Sequence, residues 1–490
     1  MKVKGLWHIN STFFFVISIV SILFIPFCNT GSNAYGLSIE DERILGEKFL
    51  QEIRRHFILL EDYFPAEYIN DLGHYLIRPL KTRPFPFDFY IVKDNTLNAF
   101  AAPGGHIFVF SGLIDVTDSV DELAAVICHE IGHVSARHLS NRLEQNKKIE
   151  MATLAGILAG VLIGGEAANA IISSTFAAGM QTQLRYSRND ERQADQLGFK
   201  FISPSGFDPA AMLSILKKIE SAYWIGTDKI PPYLLTHPTG PERISNIYSL
   251  LSGYKPTPPT QETIRFKETY PYFRAVVTAE SMEPHDAEQK FKHDMEKDPL
   301  SPLPYFGLGI VSMRKAEYAT AIEYLKAALK QKPNVIPMLT TIAKAYEMNG
   351  QDREAIAVLK KVLDQDDRDR RAMFLLAMAH ENMEEYEKEI RLLERLSFFK
   401  PVKPEVYYHL GIAYGRRDRL ALAHYNFGLY FKMLGRRKDA KFHFKKANNL
   451  SKNNPMLRKK IQKDGEDFIK MGQKNKAVGP KEHDKKDVNE

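Results

Sequence analysis

The most constraining feature of this 490-residue chain is a self-similarity with a period of 34 residues in its C-terminal half. Four columns follow this period: Gly309, Ala343, Ala377 and Gly411; Leu325, Leu359, Leu393 and Phe427; Ala321, Ala355, Glu389 and Ala423; and Ser312, Tyr346, His380 and Tyr414. Small side chains at one helix contact and large ones at the next let two antiparallel helices nest and then stack on a neighbouring pair. The period therefore predicts a solenoid of helical hairpins.

These columns resemble tetratricopeptide repeats, which are 34-residue helix pairs. The resemblance implies a repeat domain over residues 284–455, with about four repeats and a capping helix pair that reaches about Asn454. Such a domain offers a concave surface to peptides or partner proteins, but the columns identify no partner. The alternative is an unrelated helical bundle whose columns coincide by chance. The charged residues of 470–490 predict a disordered tail after the repeats.

The N-terminus has the pattern of a secretory signal peptide over residues 1–34. Two lysines precede an apolar run at 13–27, and small residues lie just before a predicted cleavage site at Tyr35. An uncleaved membrane anchor is the alternative, although an anchor needs about 20 apolar residues. Cleavage removes two lysines and no acidic residue, so the net charge falls from +7 to +5. A charge this small argues against nucleic acid as a partner.

Residues 35–255 mix helical patterns with a short β-rich run, and they predict a separate α+β domain that is mostly α. A linker over 256–283, which begins in a proline-rich stretch, would join this domain to the repeats. Within the β-rich run at 97–112, residues Ile107 to Phe110 suit two roles. They predict either an exposed sheet edge that holds substrate as an added strand, or a core strand beside a Pro-Gly-Gly turn.

The motif HEIGH at residues 129–133 predicts a metal site in the first domain. Histidines four residues apart share one face of a helix, so His129 and His133 can bind the same metal ion. Glu130 lies beside them in the position of a general base. A capping box at 119–122 would start this helix, and an apolar stripe indicates that it is buried. A catalytic zinc site normally has three protein ligands, so one ligand remains to be found.

The third ligand is expected at Glu191, in a run of charged residues that follows Ser187. Ser187 can cap a second helix, on which Asp195 shares a face with Glu191. Asp195 would then accept the free ring N–H of a zinc histidine and fix its tautomer. A solvated, charged helix face is the alternative, and spacing alone gives the two interpretations equal weight.

Together with HEIGH, the Glu-x-x-Ala-Asp sequence at 191–195 and the Thr-His-Pro-Thr-Gly-Pro-Glu-Arg sequence at 236–243 resemble a known enzyme family. This is the gluzincin metalloprotease family that includes the CAAX prenyl endopeptidase and a bacterial heat-shock membrane protease. The resemblance covers about residues 37–250 of this sequence. It implies one zinc ion per chain, bound by three ligands: His129, His133 and Glu191.

The same resemblance implies roles for four more residues. Glu130 would be the catalytic base, and Asp195 would orient a zinc ligand. His237 would lie at the active site, where it assists the transition state or occupies the open zinc position in a resting form. Arg243 would anchor the segment that carries His237 by an ion pair. From the sequence alone, His237 is a lone loop histidine that would be placed at the surface.

The order of signal peptide, protease domain and repeats is similar to that of the periplasmic branch of the family. It implies a periplasmic metalloendopeptidase that degrades misfolded or stalled outer-membrane proteins, with repeats that recruit substrate or the β-barrel assembly machinery. The alternative is an assembly chaperone or scaffold with latent protease activity gated by His237. The Ala- and Gly-rich segment 154–178 predicts an amphipathic helical excursion near the cleft or the membrane surface, with a transmembrane helix as the alternative.

Overall fold

The computed structural model describes three stretches of the chain: residues 38–143, 186–226 and 231–474. Over these residues the protein is mostly helical with one small sheet, so the predicted α+β class with a repeat solenoid is confirmed. No helix in these stretches is long and apolar enough to cross a membrane. The predicted signal peptide and the segment 154–178 lie outside the described residues, as does the predicted tail beyond Lys474.

The first domain combines short helices with three strands, β1 (Asp88–Val92), β2 (Ala99–Ala101) and β3 (His106–Phe110). Its helices in the described stretches are α1 (Ile39–His56), α2 (Tyr63–Leu76), α3 (Ser111–Val116), α4 (Val120–Ser135), α5 (His138–Leu143), α6 (Arg188–Ile202), α7 (Ala211–Gly226), α8 (Pro232–Thr236) and α9 (Pro241–Ser252). Side chains that accept an amide N–H of the first turn cap four of them: Ser38, Asp62, Ser119 and Ser187.

Helix α4 carries the HEIGH motif through the middle of the first domain. Every residue from Glu122 to Val134 is buried. One of the two hydrogen bonds of the predicted capping box is replaced by another. The Glu122 carboxylate accepts from the amide of Asp118 at 2.7 Å and not from the amide of Ser119. The first bond is present, since Ser119 Oγ accepts from the Glu122 amide at 3.4 Å. The metal motif is therefore embedded in the core, as its apolar stripe predicted.

Strand β3 is the central strand of the sheet, whose order is β1-β3-β2. It pairs in parallel with β1, where Ile107 lies opposite Phe89, and antiparallel with β2, where Phe108 lies opposite Phe100. All five residues of β3 are buried. The prediction of a substrate-binding edge at Ile107 to Phe110 is therefore wrong, because pairing on both sides occupies the backbone groups that an added strand needs. The alternative, a core strand, is confirmed.

A long helix, α10 (Gln261–Ser281), fills most of the range predicted as a linker and packs on the first domain. The hydroxyl of Tyr75 lies 3.0 Å from Thr263 Oγ1, and the ring of Tyr68 stacks on Phe273 with centroids 4.3 Å apart. The segment between the two domains is thus a helix that packs on the first domain.

The repeat domain forms antiparallel helix pairs along the chain. Its helices are α11 (Pro284–Lys297), α12 (Pro302–Arg314), α13 (Tyr318–Gln331), α14 (Ile336–Met348), α15 (Asp352–Gln365), α16 (Arg370–Asn382), α17 (Tyr386–Ser397), α18 (Pro404–Arg416), α19 (Leu420–Met433), α20 (Arg437–Leu450) and α21 (Pro455–Lys474). The small and large columns meet as predicted: a Cβ on Gly309 would lie 2.6 Å from Leu325, and one on Gly411 would lie 2.7 Å from Phe427.

The start of α2 contacts the repeat domain through charged and aromatic side chains. Asp62 lies 3.4 Å from Lys344 Nζ and 3.6 Å from Arg371 Nε, and Lys403 Nζ lies 3.7 Å above the ring of Tyr63. Burial alone would raise the pKa of Asp62, but Arg371, Lys344 and Lys403 lower it to about 2. These contacts therefore favour the docked arrangement of the two domains at neutral pH.

We expect Asp62→Asn to lower the free energy of unfolding by about 1–2 kcal/mol at pH 7, because it removes a carboxylate whose pKa is lowered by cations of the repeats. A lowered pKa stabilises the folded state above about pH 4, and this contribution is lost as the pH falls to about 2. Thermal unfolding at neutral pH and near pH 3 should therefore show a smaller difference at the lower pH. Asp439→Asn, which alters an exposed ion pair with Arg436, is the control. Equal destabilisation by both variants would contradict the prediction.

Candidate metal centre

Helix α4 presents both motif histidines on one face. His129 and His133 are buried, and their Nε2 atoms lie 3.1 Å apart. Glu130 is fully buried as well, and neither of its carboxylate oxygens has a hydrogen-bond partner among the described residues. An unpartnered carboxylate in the core is costly. Glu130 therefore lies where a partner other than the described side chains would be needed to offset its burial.

Helix α6 approaches α4 closely because glycines occupy the contact. A Cβ on Gly132 would lie 2.7 Å from the carbonyl oxygen of Ala194, and one on Gly198 would lie 3.2 Å from the backbone of Cys128. Any side chain at Gly132 would force the two helices apart. This close approach brings Glu191, on the first turn of α6, to the motif histidines. Neither glycine was predicted from the sequence to have a role.

Glu191 completes a group of three candidate ligands on two helices. Its Oε2 lies 3.4 Å from His129 Nε2, and its Oε1 lies 3.4 Å from His133 Nε2. Burial alone would raise the pKa of Glu191, but the Arg243 guanidinium and the neighbouring histidines hold it well below its usual range. The structure thus places an ionised carboxylate where the sequence predicted the third ligand, and excludes the solvated helix face, because Glu191 is buried.

Asp195 and Arg243 form a buried network behind the ligands. Asp195 Oδ1 lies 2.9 Å from His129 Nδ1, and Arg243 Nε donates to Asp195 Oδ2 at 2.8 Å. Arg243 Nη1 also lies 2.8 Å from Glu191 Oε2, so the expected ion pair has two carboxylate partners. Burial would raise the pKa of Asp195, but Arg243 and His129 lower it to about 2. Asp195 can therefore accept the ring N–H of His129 as a carboxylate.

His138 supports the second motif histidine and was not predicted. Its Nδ1 lies 3.0 Å from His133 Nδ1, and its Nε2 lies 3.0 Å from Gln193 Oε1 on α6. The backbone between the two histidines breaks at Arg137, which has a φ of 53°. His138 therefore begins a new helix, so helical spacing from the motif could not reveal the contact.

His237 is inside the centre and not at the surface. Its side chain is fully buried, and Nδ1 lies 3.0 Å from Glu191 Oε1 and 3.4 Å from His129 Nε2. Nε2 lies 3.7 Å from Glu130 Oε1. Helix α8 fixes this position, because the His237 amide donates to the Tyr233 carbonyl and the two rings stack with centroids 4.6 Å apart. The surface position expected from the sequence alone is therefore wrong.

The residues present fit a divalent metal ion. Four buried side chains each offer a ligand atom, and these atoms all lie within 4.8 Å of one another: His129, His133, Glu191 and His237. Three buried carboxylates and one buried guanidinium leave two negative charges when the histidines are neutral: Glu130, Glu191, Asp195 and Arg243. A divalent cation would neutralise them, and imidazole with carboxylate is a ligand set of transition metals.

A cleft of about 430 Å³ opens beside the centre. Its lining includes Tyr186, Glu191, Pro238 and Arg243. The ring of Tyr186 packs on that of His133 with centroids 3.9 Å apart. Tyr186 was not predicted from the sequence, because it belongs to no motif. Of the ligand cluster, Glu191 lines this cleft.

Residues 65–251 match peptidase family M48, and residues 313–377 match the tetratricopeptide repeat family. The chain carries a peptidase family M48 domain. It is a metalloendopeptidase, as the motif and the family resemblance predicted. This metalloendopeptidase carries its tetratricopeptide repeats after the catalytic domain.

Three curated relatives have related names. The β-barrel assembly-enhancing protease of Yersinia pestis is 28% identical over 379 residues, which cover 75% of this chain and 76% of that protein. The protein of that name from Escherichia coli K12 is 25% identical over 392 residues, covering 72% and 80%. A putative one from Vibrio cholerae is 34% identical over 223 residues, covering 45% and 46%. The first two similarities therefore extend beyond the M48 domain.

Asp195→Asn should weaken metal binding by about 10- to 100-fold, because an amide is a poorer acceptor for the ring N–H of His129 and no longer pairs with Arg243. Competition between the full chain and a chelating dye would measure the change in affinity. Asp118→Asn is the matched control, since its side chain lies just before α4 and is 73% exposed. Unchanged affinity in Asp195→Asn would contradict an orienting role.

Proposed function

We propose that this metalloendopeptidase depends on zinc, which is bound by His129, His133 and Glu191. The observation that supports this most strongly is the buried ligand cluster beside a carboxylate, Glu130, that has no hydrogen-bond partner among the described residues. Two imidazoles and one carboxylate suit zinc in a catalytic site. A structural zinc site would need four closed ligands and no adjacent base.

In this proposal the chain's own residues handle the protons of peptide hydrolysis. Zinc, when bound, polarises the scissile carbonyl and acidifies a water molecule. Glu130 takes a proton from the attacking water and returns it to the leaving amine. Its oxygens suit this role because no described side chain donates a hydrogen bond to them. Asp195 holds the Nδ1–H tautomer of His129, so that Nε2 faces the ligand cluster.

His237 is proposed to regulate access to the zinc. Its Nδ1 lies within the ligand cluster, 3.0 Å from Glu191 Oε1. This position favours occupation of the open ligand position in a resting form over a role in the transition state alone. A substrate that displaces His237 would then start catalysis. The Nε2 atom lies 3.7 Å from Glu130 Oε1, so His237 would also fill the space beside the base until that moment.

Misfolded or stalled outer-membrane β-barrel proteins are the proposed substrates, and the periplasm is the proposed compartment. The support is the name shared by the relatives from Yersinia pestis and Escherichia coli, whose similarity covers most of this chain. The predicted signal peptide of 1–34 agrees with this compartment. The repeats would recruit the substrate or the β-barrel assembly machinery, because a tetratricopeptide solenoid offers a surface for extended peptides.

A second candidate is an assembly chaperone or scaffold whose protease activity is latent. The observation that favours it is His237, which is buried among the proposed zinc ligands. With His237 bound, the site would have four protein ligands, as a structural zinc site has. The two functions then differ only in how often a substrate displaces His237.

Glu130→Gln should slow cleavage of unfolded casein by at least about 100-fold and leave the zinc content unchanged, because it removes the base but no ligand. The measurement compares purified residues 35–490 as wild type and variant, with elemental analysis of both. Glu47→Gln, which alters an exposed carboxylate on α1, is the control. Loss of zinc from Glu130→Gln would show that the assignment of ligands is wrong.

His237→Ala should raise the basal rate of casein cleavage by roughly 10-fold, which corresponds to removal of about 1.4 kcal/mol of competition for the open position. The control is His285→Ala, since this side chain is exposed on α11. A basal cleavage rate equal to that of the wild type would contradict gating by His237. A variant slower than the wild type would favour the role in the transition state.

A further inference from the structure

The third repeat breaks one of the four columns at a buried position. Three repeats have alanine in this column, at Ala321, Ala355 and Ala423, and the third has Glu389. The column lies in the contact between helices, where the alanines are 0–4% exposed and Glu389 is 0% exposed. A carboxylate in a position built for a methyl group is costly unless something binds it. Glu389 therefore needs a partner that the other repeats do not.

No described residue donates a hydrogen bond to either oxygen of Glu389. Burial, and then the negative charge of Glu381, raise the pKa of Glu389 to about 8. The neighbouring charge that acts on Glu389 is thus the carboxylate of Glu381. Burial of two neighbouring carboxylates without a counter-charge is unfavourable.

Three consecutive helices bring a third side chain to these carboxylates. Glu381 lies at the end of α16, Glu389 in the first turn of α17 and His409 on α18. His409 Nδ1 lies 2.7 Å from Glu381 Oε2, and one ligand atom from each of the three residues lies within 4.8 Å of the other two. The side chains of Glu381 and His409 are 24% and 22% exposed. Water can therefore reach the open side of the cluster.

We propose that Glu381, Glu389 and His409 bind a second divalent transition-metal ion, with zinc as the best candidate. Two carboxylates supply the two negative charges that such an ion neutralises, and one imidazole favours zinc over magnesium or calcium, which prefer oxygen ligands. Three protein ligands and a water molecule complete a tetrahedral shell. The inference is independent of the proposed protease mechanism, because the residues belong to the repeat domain.

The ion would stabilise the contact between the third and fourth repeats, because its ligands come from both. His409 also packs its ring on Phe374, with centroids 5.8 Å apart, and Phe374 lies 5.5 Å from the ring of Tyr63 at the start of α2 in the first domain. The metal would therefore rigidify the part of the solenoid on which the protease domain is docked.

The test uses the full mature chain and the variant Glu389→Ala, which restores the residue that the other three repeats carry. We expect it to bind one metal ion fewer per chain than the wild type by elemental analysis after dialysis against zinc. Casein cleavage should be unchanged. Glu385→Gln is the matched control, because this neighbouring carboxylate pairs with His380 and Lys388 outside the cluster. Its metal content should equal that of the wild type.

A second measurement uses a variant that lacks one of the proposed ligands of the first metal centre. In a His133→Ala background, zinc should still raise the thermal unfolding temperature, and cobalt should give visible d–d absorption. Both effects should disappear when Glu389→Ala is added. Equal metal content in the wild type and Glu389→Ala, with no zinc-dependent difference in unfolding, would overturn the proposal and leave Glu389 as a neutral carboxylic acid. If Glu389→Ala does not fold, Glu389→Gln provides the same comparison.

Discussion

The close contact between α4 and α6 is the constraint on which the rest of the catalytic domain depends. Gly132 allows the two backbones to approach within a distance that no side chain permits, and Gly198 leaves little room for one. Only at this separation does Glu191 on α6 reach both His129 and His133 on α4. Two separate helices thus act as one ligand frame, and the frame is rigid because it lies in the core.

Charge neutralisation is the second condition for this frame to be stable. Arg243 offsets part of the negative charge of Asp195 and Glu191 through bonds of 2.8 Å to each. A metal ion would offset the remainder, so folding and metal binding are coupled through the same buried network. The third repeat also buries a carboxylate, because Glu389 has no hydrogen-bond partner among the described residues.

Local patterns predicted much of the architecture because they report contacts between residues close in sequence. The 34-residue columns predicted the helix pairs, since each column is the contact between two neighbouring helices, as Gly309 and Leu325 show. The HEIGH spacing placed His129 and His133 together because a helix fixes that geometry. The pattern of β3 was ambiguous for a different reason: a short continuous apolar run does not show whether the strand is central or at an edge, and only the partner strands distinguish the two.

The sequence by itself determined the mostly helical fold and the repeat solenoid, and it predicted His129, His133 and Glu191 as the metal ligands. Only the tertiary structure decided that His237 is buried in the centre, that His138 supports His133, and that Glu389 meets Glu381 and His409 across three helices. The physical reason is that these contacts join residues with no shared helical or strand period. Their proximity follows from how whole helices pack, which depends on close approaches and buried charges distributed over the whole chain.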